Sequence, residues 1–138
     1  LLSVNARLAQ VFEPAVVSPQ ERLVLVRLLH DVGVTAGVAV LPVLPLLAEP
    51  DLEATVAAVA DAHAAYLLFK HLELKGEQRD RFIEILQSKY PRLVAQYQRW
   101  YEHAISPDHK YLESLTARIE TLSQRYRLEN KMPEDRLR

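Results

Sequence analysis

Between Asp31 and Glu49 the chain reads VGVTAGVAVLPVLPLLA, seventeen residues without a charge but with two glycines and two prolines. A membrane-spanning helix needs about 20 apolar residues, and Pro42 and Pro45 interrupt this run near its end, so a span is not the reading. Val34, Thr35, Val38, Val40 and Val43 are β-branched, and a strand covered on both faces by helices reads as a continuous apolar run instead of an alternating one. The run therefore predicts a buried parallel strand over about 34–41, followed by a loop.

The flanking segments agree. Ser18-Pro19-Gln20-Glu21 is a capping box with proline at the first helical position, where its missing N–H costs nothing. The helix it opens turns Leu23, Val26 and Leu29 inward and stops at Gly33, a residue free to take the left-handed conformation that closes helices. Pro50 and Asp51 start another helix, with Leu52, Val56, Val59, Ala60 and His63 on one face. Ala65 to Phe69 then reads as a strand, and Leu1 to Val4 as the end of an earlier one. Strand, helix, strand, helix, strand with short connections is the order of right-handed βαβ units. From Gly76 the pattern becomes helical throughout. Phe82, Ile85 and Leu86 mark one helix, which Pro91 breaks. Leu93, Val94, Tyr97, Trp100 and Tyr101 mark a second. A third starts at Ser106-Pro107, with Leu112, Leu115, Ile119, Leu122 and Tyr126 spaced to pack on its own domain or to form a short coiled-coil seam. The fold class expected is α/β with about three parallel strands, followed by an all-helical C-terminal extension; the units are 1–75, 76–128 and a disordered tail, 129–138.

Composition narrows the function classes. A net charge of −1 and a pI near 6.6 give no electrostatic reason for nucleic acid or an anionic membrane as the main partner. With no cysteine in 138 residues, the chain can hold neither a disulfide nor a thiolate cluster. The lack of cysteine and of a signal peptide ahead of the first helix suggests a cytoplasmic protein. Three parallel strands leave a bare edge, so completion by upstream sequence or by another chain is expected, the sequence then being part of something longer.

Read in order, Glu13-Pro14, Ser18-Pro19 with Arg22-Leu23, Gly33, Pro42 to Pro45, Leu72-Glu73-Leu74, Arg79 to Phe82 and Tyr90-Pro91 resemble the C-terminal half of radical S-adenosylmethionine proteins of the spore photoproduct lyase and "DNA repair photolyase" type. The resemblance covers nearly the whole chain. It implies an incomplete (β/α) barrel and lyase-like chemistry, in which a [4Fe–4S] cluster held by three cysteines cleaves S-adenosylmethionine to a 5′-deoxyadenosyl radical. Those cysteines are absent here, so the chain alone is not competent, and the upstream half of the protein would supply the cluster. Two departures stand out: Pro45-Leu46-Leu47 replaces the family's Pro-Gly-Leu, and the segment between Ser3 and Leu8 is shorter than the family's strand-to-helix loop.

Barrel ligands lie at the C-terminal ends of strands. On the resemblance, Ser3, Asn5, Pro42 and Pro45 are cofactor contacts, the two prolines forming a rigid lip beside the adenine. Lys70 and His71 follow the last strand and are candidates for a carboxylate or phosphate of the substrate, with a solvated pair as the alternative. Glu13 and Arg22 read as an ion pair, Tyr97, Trp100 and Tyr101 as core, and His63, His103 and His109 lack metal-ligand spacing. The substrate is not specified, although nucleic-acid lesion repair is the activity of the named relative. Two rivals remain at this point. One is a non-catalytic half-barrel that serves as an interaction or homodimerisation domain; the other is a helical nucleic-acid binder built on Arg118, Arg125 and Arg127.

Overall fold

The structure, a computed structural model, describes residues 1–134. In chain order the elements are α1 (Ala6–Phe12), α2 (Pro19–Asp31), β1 (Val38–Val43), α3 (Leu52–Asp61), β2 (Leu67–His71), α4 (Gly76–Lys89), α5 (Val94–Tyr101) and α6 (His109–Arg125). The protein is mixed α/β and mostly helical.

Local signals formed the elements expected of them. Ser18 caps α2 by accepting from the Glu21 N–H at 3.2 Å, and Gly33 sits at φ +84° just beyond its end. Pro91 ends α4 and opens a single 3₁₀ turn before α5. The α6 stripe packs on its own domain, with Leu115, Ile119 and Leu122 buried. The third helix begins two residues later than the proline suggests, because Asp108 caps it through the Tyr111 N–H at 3.0 Å. Helix α1 starts at Ala6, inside the segment between Ser3 and Leu8 that reads as a strand-to-helix loop. It is too short for a periodicity signal and is nucleated by Asn5, whose Oδ1 accepts from the Arg7 and Leu8 N–H groups at 3.1 and 3.2 Å.

The sheet is narrower than expected. Among the described residues it has two strands, β1 and β2, paired in parallel with Val38 opposite Leu67 and Val40 opposite Phe69. Both strands lie further along the chain than the sequence suggests, and β1 continues through Pro42. The proline is tolerated because the register slips between Val40 and Val43, where its missing N–H leaves no rung of the ladder empty. Gly37 is needed just ahead of β1: a Cβ there would lie 2.2 Å from the Tyr66 ring.

No third strand forms at the chain's start, but its residues lie where one would. The Leu1 nitrogen donates to the Ala39 carbonyl at 3.1 Å, on the edge of β1 that faces away from β2. Beyond the outer edge of β2, the Leu67 N–H donates to the Glu129 carbonyl at 2.8 Å and Asn130 Nδ2 donates to the Leu67 carbonyl at 3.0 Å. The start of the segment expected as a disordered tail is thus docked on the sheet, while residues 135–138 of it lie outside the described residues.

One core unites the β/α segment and the helical extension. Val40, Val56 and Leu67 from the first and Leu86, Tyr97 and Ile119 from the second belong to the same buried cluster. Each such side chain contributes roughly 1.5–3 kcal/mol by leaving water. Helix α2 stands apart: its middle residues are at most half-buried, and Glu13 and Arg22 pair at 3.7 Å between the preceding loop and its first turn.

Candidate functional site

Two paired parallel strands end side by side, so the last residues of β1 and those that close β2 meet at one end of the sheet. There Leu41, Pro42, Lys70, His71, Leu72, Glu73 and Gln78 line an open cleft of about 290 Å³. Three of the expected contacts, Pro42, Lys70 and His71, are therefore neighbours. Lys70 is exposed and His71 half-buried.

His71 is positioned from α6. Its Nε2 lies 2.7 Å from Thr116 Oγ1, while Nδ1 is buried without a hydrogen-bond partner. Burial holds the ring's pKa below the usual histidine value, so at neutral pH the imidazole is uncharged. Lys70 is then the cation of the pair.

The segment after β1 is held from below by phenols of the helical extension. Tyr97 Oη on α5 donates to the Pro45 carbonyl, and Tyr101 Oη donates to the Leu72 carbonyl at 2.9 Å. Tyr111 on α6 accepts from the Leu46 N–H at 3.0 Å and donates to the Glu49 carboxylate. Burial is the main cause that pushes all three phenols well above the ordinary tyrosine pKa; a neighbouring tyrosine adds to it for Tyr97 and Tyr101, and the Glu49 hydrogen bond for Tyr111. Tyr97 and Tyr101 are core residues as expected, but their hydroxyls also fix both strand exits. Tyr111 was not singled out, and nothing local marks it: its partners lie more than sixty residues away.

The other expected contacts lie outside this cleft. Pro45 is fully buried, and its carbonyl is occupied by Tyr97. Ser3 is buried, accepts from the Asn5 N–H at 3.1 Å and lies 3.5 Å from Thr55 Oγ1. Besides capping α1, Asn5 donates from Nδ2 to Asp51 at 2.9 Å. Ser3 and Asn5 together pin the first turn of the chain to the start of α3, and neither lines the cleft. The Ser/Thr/Asp/Asn preference at helix N-caps was the available signal for Asn5. Arg125, one of the three arginines of the nucleic-acid reading, pairs with Glu53 at 2.9 Å.

Leu46 sits at φ +64°. A left-handed conformation costs a non-glycine residue about 1–2 kcal/mol. Leu46→Gly removes that strain but frees the unfolded chain, at about 0.5–1 kcal/mol, so stability is expected to stay within about 1 kcal/mol of the parent. Leu46→Val, β-branched in a region β-branched residues avoid, is expected to lose more than the glycine variant. Urea unfolding of the two variants checks this order; equal losses would contradict it.

No family model matches the chain, and no solved structure matches it. Uncharacterized proteins of Mycobacterium tuberculosis and Mycobacterium bovis are 32% identical to it over 113 residues, or 80% of this chain and 33% of each relative. The chain thus spans about a third of the length of the curated relatives it matches. No helix among the described residues is long and apolar enough to cross a membrane.

Proposed function

We propose that this chain is the C-terminal portion of a radical S-adenosylmethionine enzyme, a partial (β/α) barrel whose cleft at the strand ends contacts cofactor and substrate. The observation that supports the reading best is the cleft, which gathers Pro42, Lys70 and His71 at the C-terminal ends of adjacent parallel strands, where α/β folds bind ligands. The ordered run of motifs from Glu13-Pro14 to Tyr90-Pro91 supports it independently.

The cluster does not fit within this chain. A [4Fe–4S] centre is held by cysteine thiolates, and the sequence has none, so no step is assigned here through that group. S-adenosylmethionine does fit the character of the cleft. Leu41, Pro42 and Leu72 offer an apolar wall for an adenine ring, and the exposed Lys70 offers an ammonium to a carboxylate or phosphate. When bound beside a reduced cluster, this cofactor supplies radical chemistry. The residues of this chain orient the occupant: Pro42 limits where the ring can lie, Lys70 fixes the anionic end, and the neutral His71, its Nε2 held by Thr116 and its Nδ1 buried, gives the cleft an uncharged side. The tyrosines hold the wall still.

Titration of S-adenosylmethionine into the longest polypeptide the gene encodes tests the reading. Lys70→Ala is expected to weaken binding about tenfold, in line with about 1.5–3 kcal/mol for a charge-assisted hydrogen bond partly screened by water, and Lys70→Arg to retain most of the affinity. Saturable binding that is indifferent to Lys70, or no binding at all, contradicts it.

A further inference from the structure

The cleft at the strand ends does not stop at Pro42. Pro42, Leu72 and Gln78 also line a second pocket, of about 280 Å³, on the side toward α1. Its floor is Leu44, just after β1, and Leu74, just after β2, both fully buried. Its sides are Phe12, the last residue of α1, and Phe82 and Ile85 of α4. Gln78, Arg81, Phe82 and Ile85 recur at helical spacing, so α4 turns one continuous stripe toward this pocket. The Phe12 ring stacks on Phe82 at a centroid distance of 4.9 Å and lies 6.2 Å from the Tyr90 ring, which ties α1 to α4 and fixes the opening between them.

The walls are hydrocarbon, and the polar side chains that line the pocket are Glu13, Gln78 and Arg81. Glu13 is engaged by Arg22 at 3.7 Å. The ion pair of Arg81 is with Glu77, at 3.9 Å and with the two side chains 79 and 90% exposed, so water screens it and the guanidinium can turn to an incoming anion. A cavity of about 150 Å³ lined by Leu, Ile and Phe holds a benzene ring, and this pocket has room for a ring with a short chain. A pocket that reads a nucleobase presents donors and acceptors to the base's hydrogen-bonding edge. The side chains of these walls present none.

We propose that this pocket is the substrate subsite of the proposed enzyme, and that it takes a ring-sized hydrocarbon group of a small molecule whose anionic end meets Arg81. Assignment to the substrate rests on the cofactor reading, in which S-adenosylmethionine lies against Leu41 and Pro42 and leaves this side of Pro42 and Leu72 free. Binding of an apolar acid rests on the pocket alone.

The probe is phenylpropionate, titrated by calorimetry into the longest polypeptide the gene encodes, with and without S-adenosylmethionine. Saturable binding is expected, and propionate, which lacks the ring, should bind at least about tenfold more weakly. Ile85→Trp fills the pocket and should weaken the probe at least about tenfold. Arg81→Gln, at an exposed position that leaves the fold intact, should weaken it about threefold. Saturating S-adenosylmethionine should leave the probe's affinity unchanged. Absence of probe binding overturns the proposal, as does binding indifferent to both substitutions. Displacement by S-adenosylmethionine would give the pocket to the cofactor, and tighter binding of thymidine monophosphate would give it to a nucleotide; either overturns it. Binding of the probe as expected in a protein that binds no S-adenosylmethionine would uphold the apolar subsite and strike only its assignment to that enzyme.

Discussion

Tyr97→Ala is expected to destabilise the fold by about 3–5 kcal/mol, the cost of emptying a large aromatic site in a packed core, and Tyr97→Phe by about 0.5–1.5 kcal/mol. The ring is fully buried and stacks on Phe82 and Tyr101 at centroid distances of 5.4 and 5.6 Å. Phenylalanine keeps that packing and deletes only the hydroxyl. The Pro45 carbonyl then keeps only the Leu47 N–H, at 2.7 Å, so the loss is that of one buried hydrogen bond, about 0.5–1.5 kcal/mol. Denaturant unfolding with an unchanged slope reads both values. If Tyr97→Phe cost nothing, the phenol would be a passenger, and the claim that α5 fixes the exit of β1 would fall with it.

The same phenols are expected to make stability fall in alkali. An unfolded tyrosine releases its proton near pH 10, whereas Tyr97, Tyr101 and Tyr111 keep theirs to higher pH because burial disfavours the phenolate. A folded-state pKa raised above the unfolded one means that the native state binds more protons in that window. Their stabilisation is therefore complete below about pH 10 and declines as pH rises above it. For the two fully buried phenols, Tyr97 and Tyr101, linkage gives a loss of about 2.7 kcal/mol for each pH unit above the unfolded value. Stability measured from pH 8 to 11 should fall steeply past about pH 10, and a Tyr97→Phe, Tyr101→Phe pair should flatten the fall. An equally steep decline in the double variant would assign the alkaline transition to other groups.

The tyrosines also show why sequence conveyed some of this fold and not the rest. The α2 cap, the Gly33 stop, the Pro91 break and the inward stripe of α6 were legible because each is written within a few residues and enforced by local geometry. Strand register was not. It depends on which carbonyl meets Val38 across the sheet, and on a slip at Pro42 that only pairing reveals. The first strand failed to form as such because its partner edge offers the described residues a single hydrogen bond. At the site, Pro42, Lys70 and His71 were legible together because adjacent parallel strands must end side by side. The hydrogen bonds of Ser3 and Asn5 were not legible, because a polar residue in a short loop reads the same whether it faces a ligand or caps a helix. The contacts from Thr116 to His71 and from Tyr111 to Leu46 span 45 and 65 residues, and no local pattern encodes them.

The most direct test of the proposed function is the position of S-adenosylmethionine in a crystal structure of the longest polypeptide the gene encodes. The account predicts the adenine against Leu41 and Pro42, with the methionine carboxylate within about 4 Å of the Lys70 ammonium, the usual reach of an ion pair. A cofactor bound elsewhere, with the cleft between the strand ends empty at saturating concentration, would contradict it.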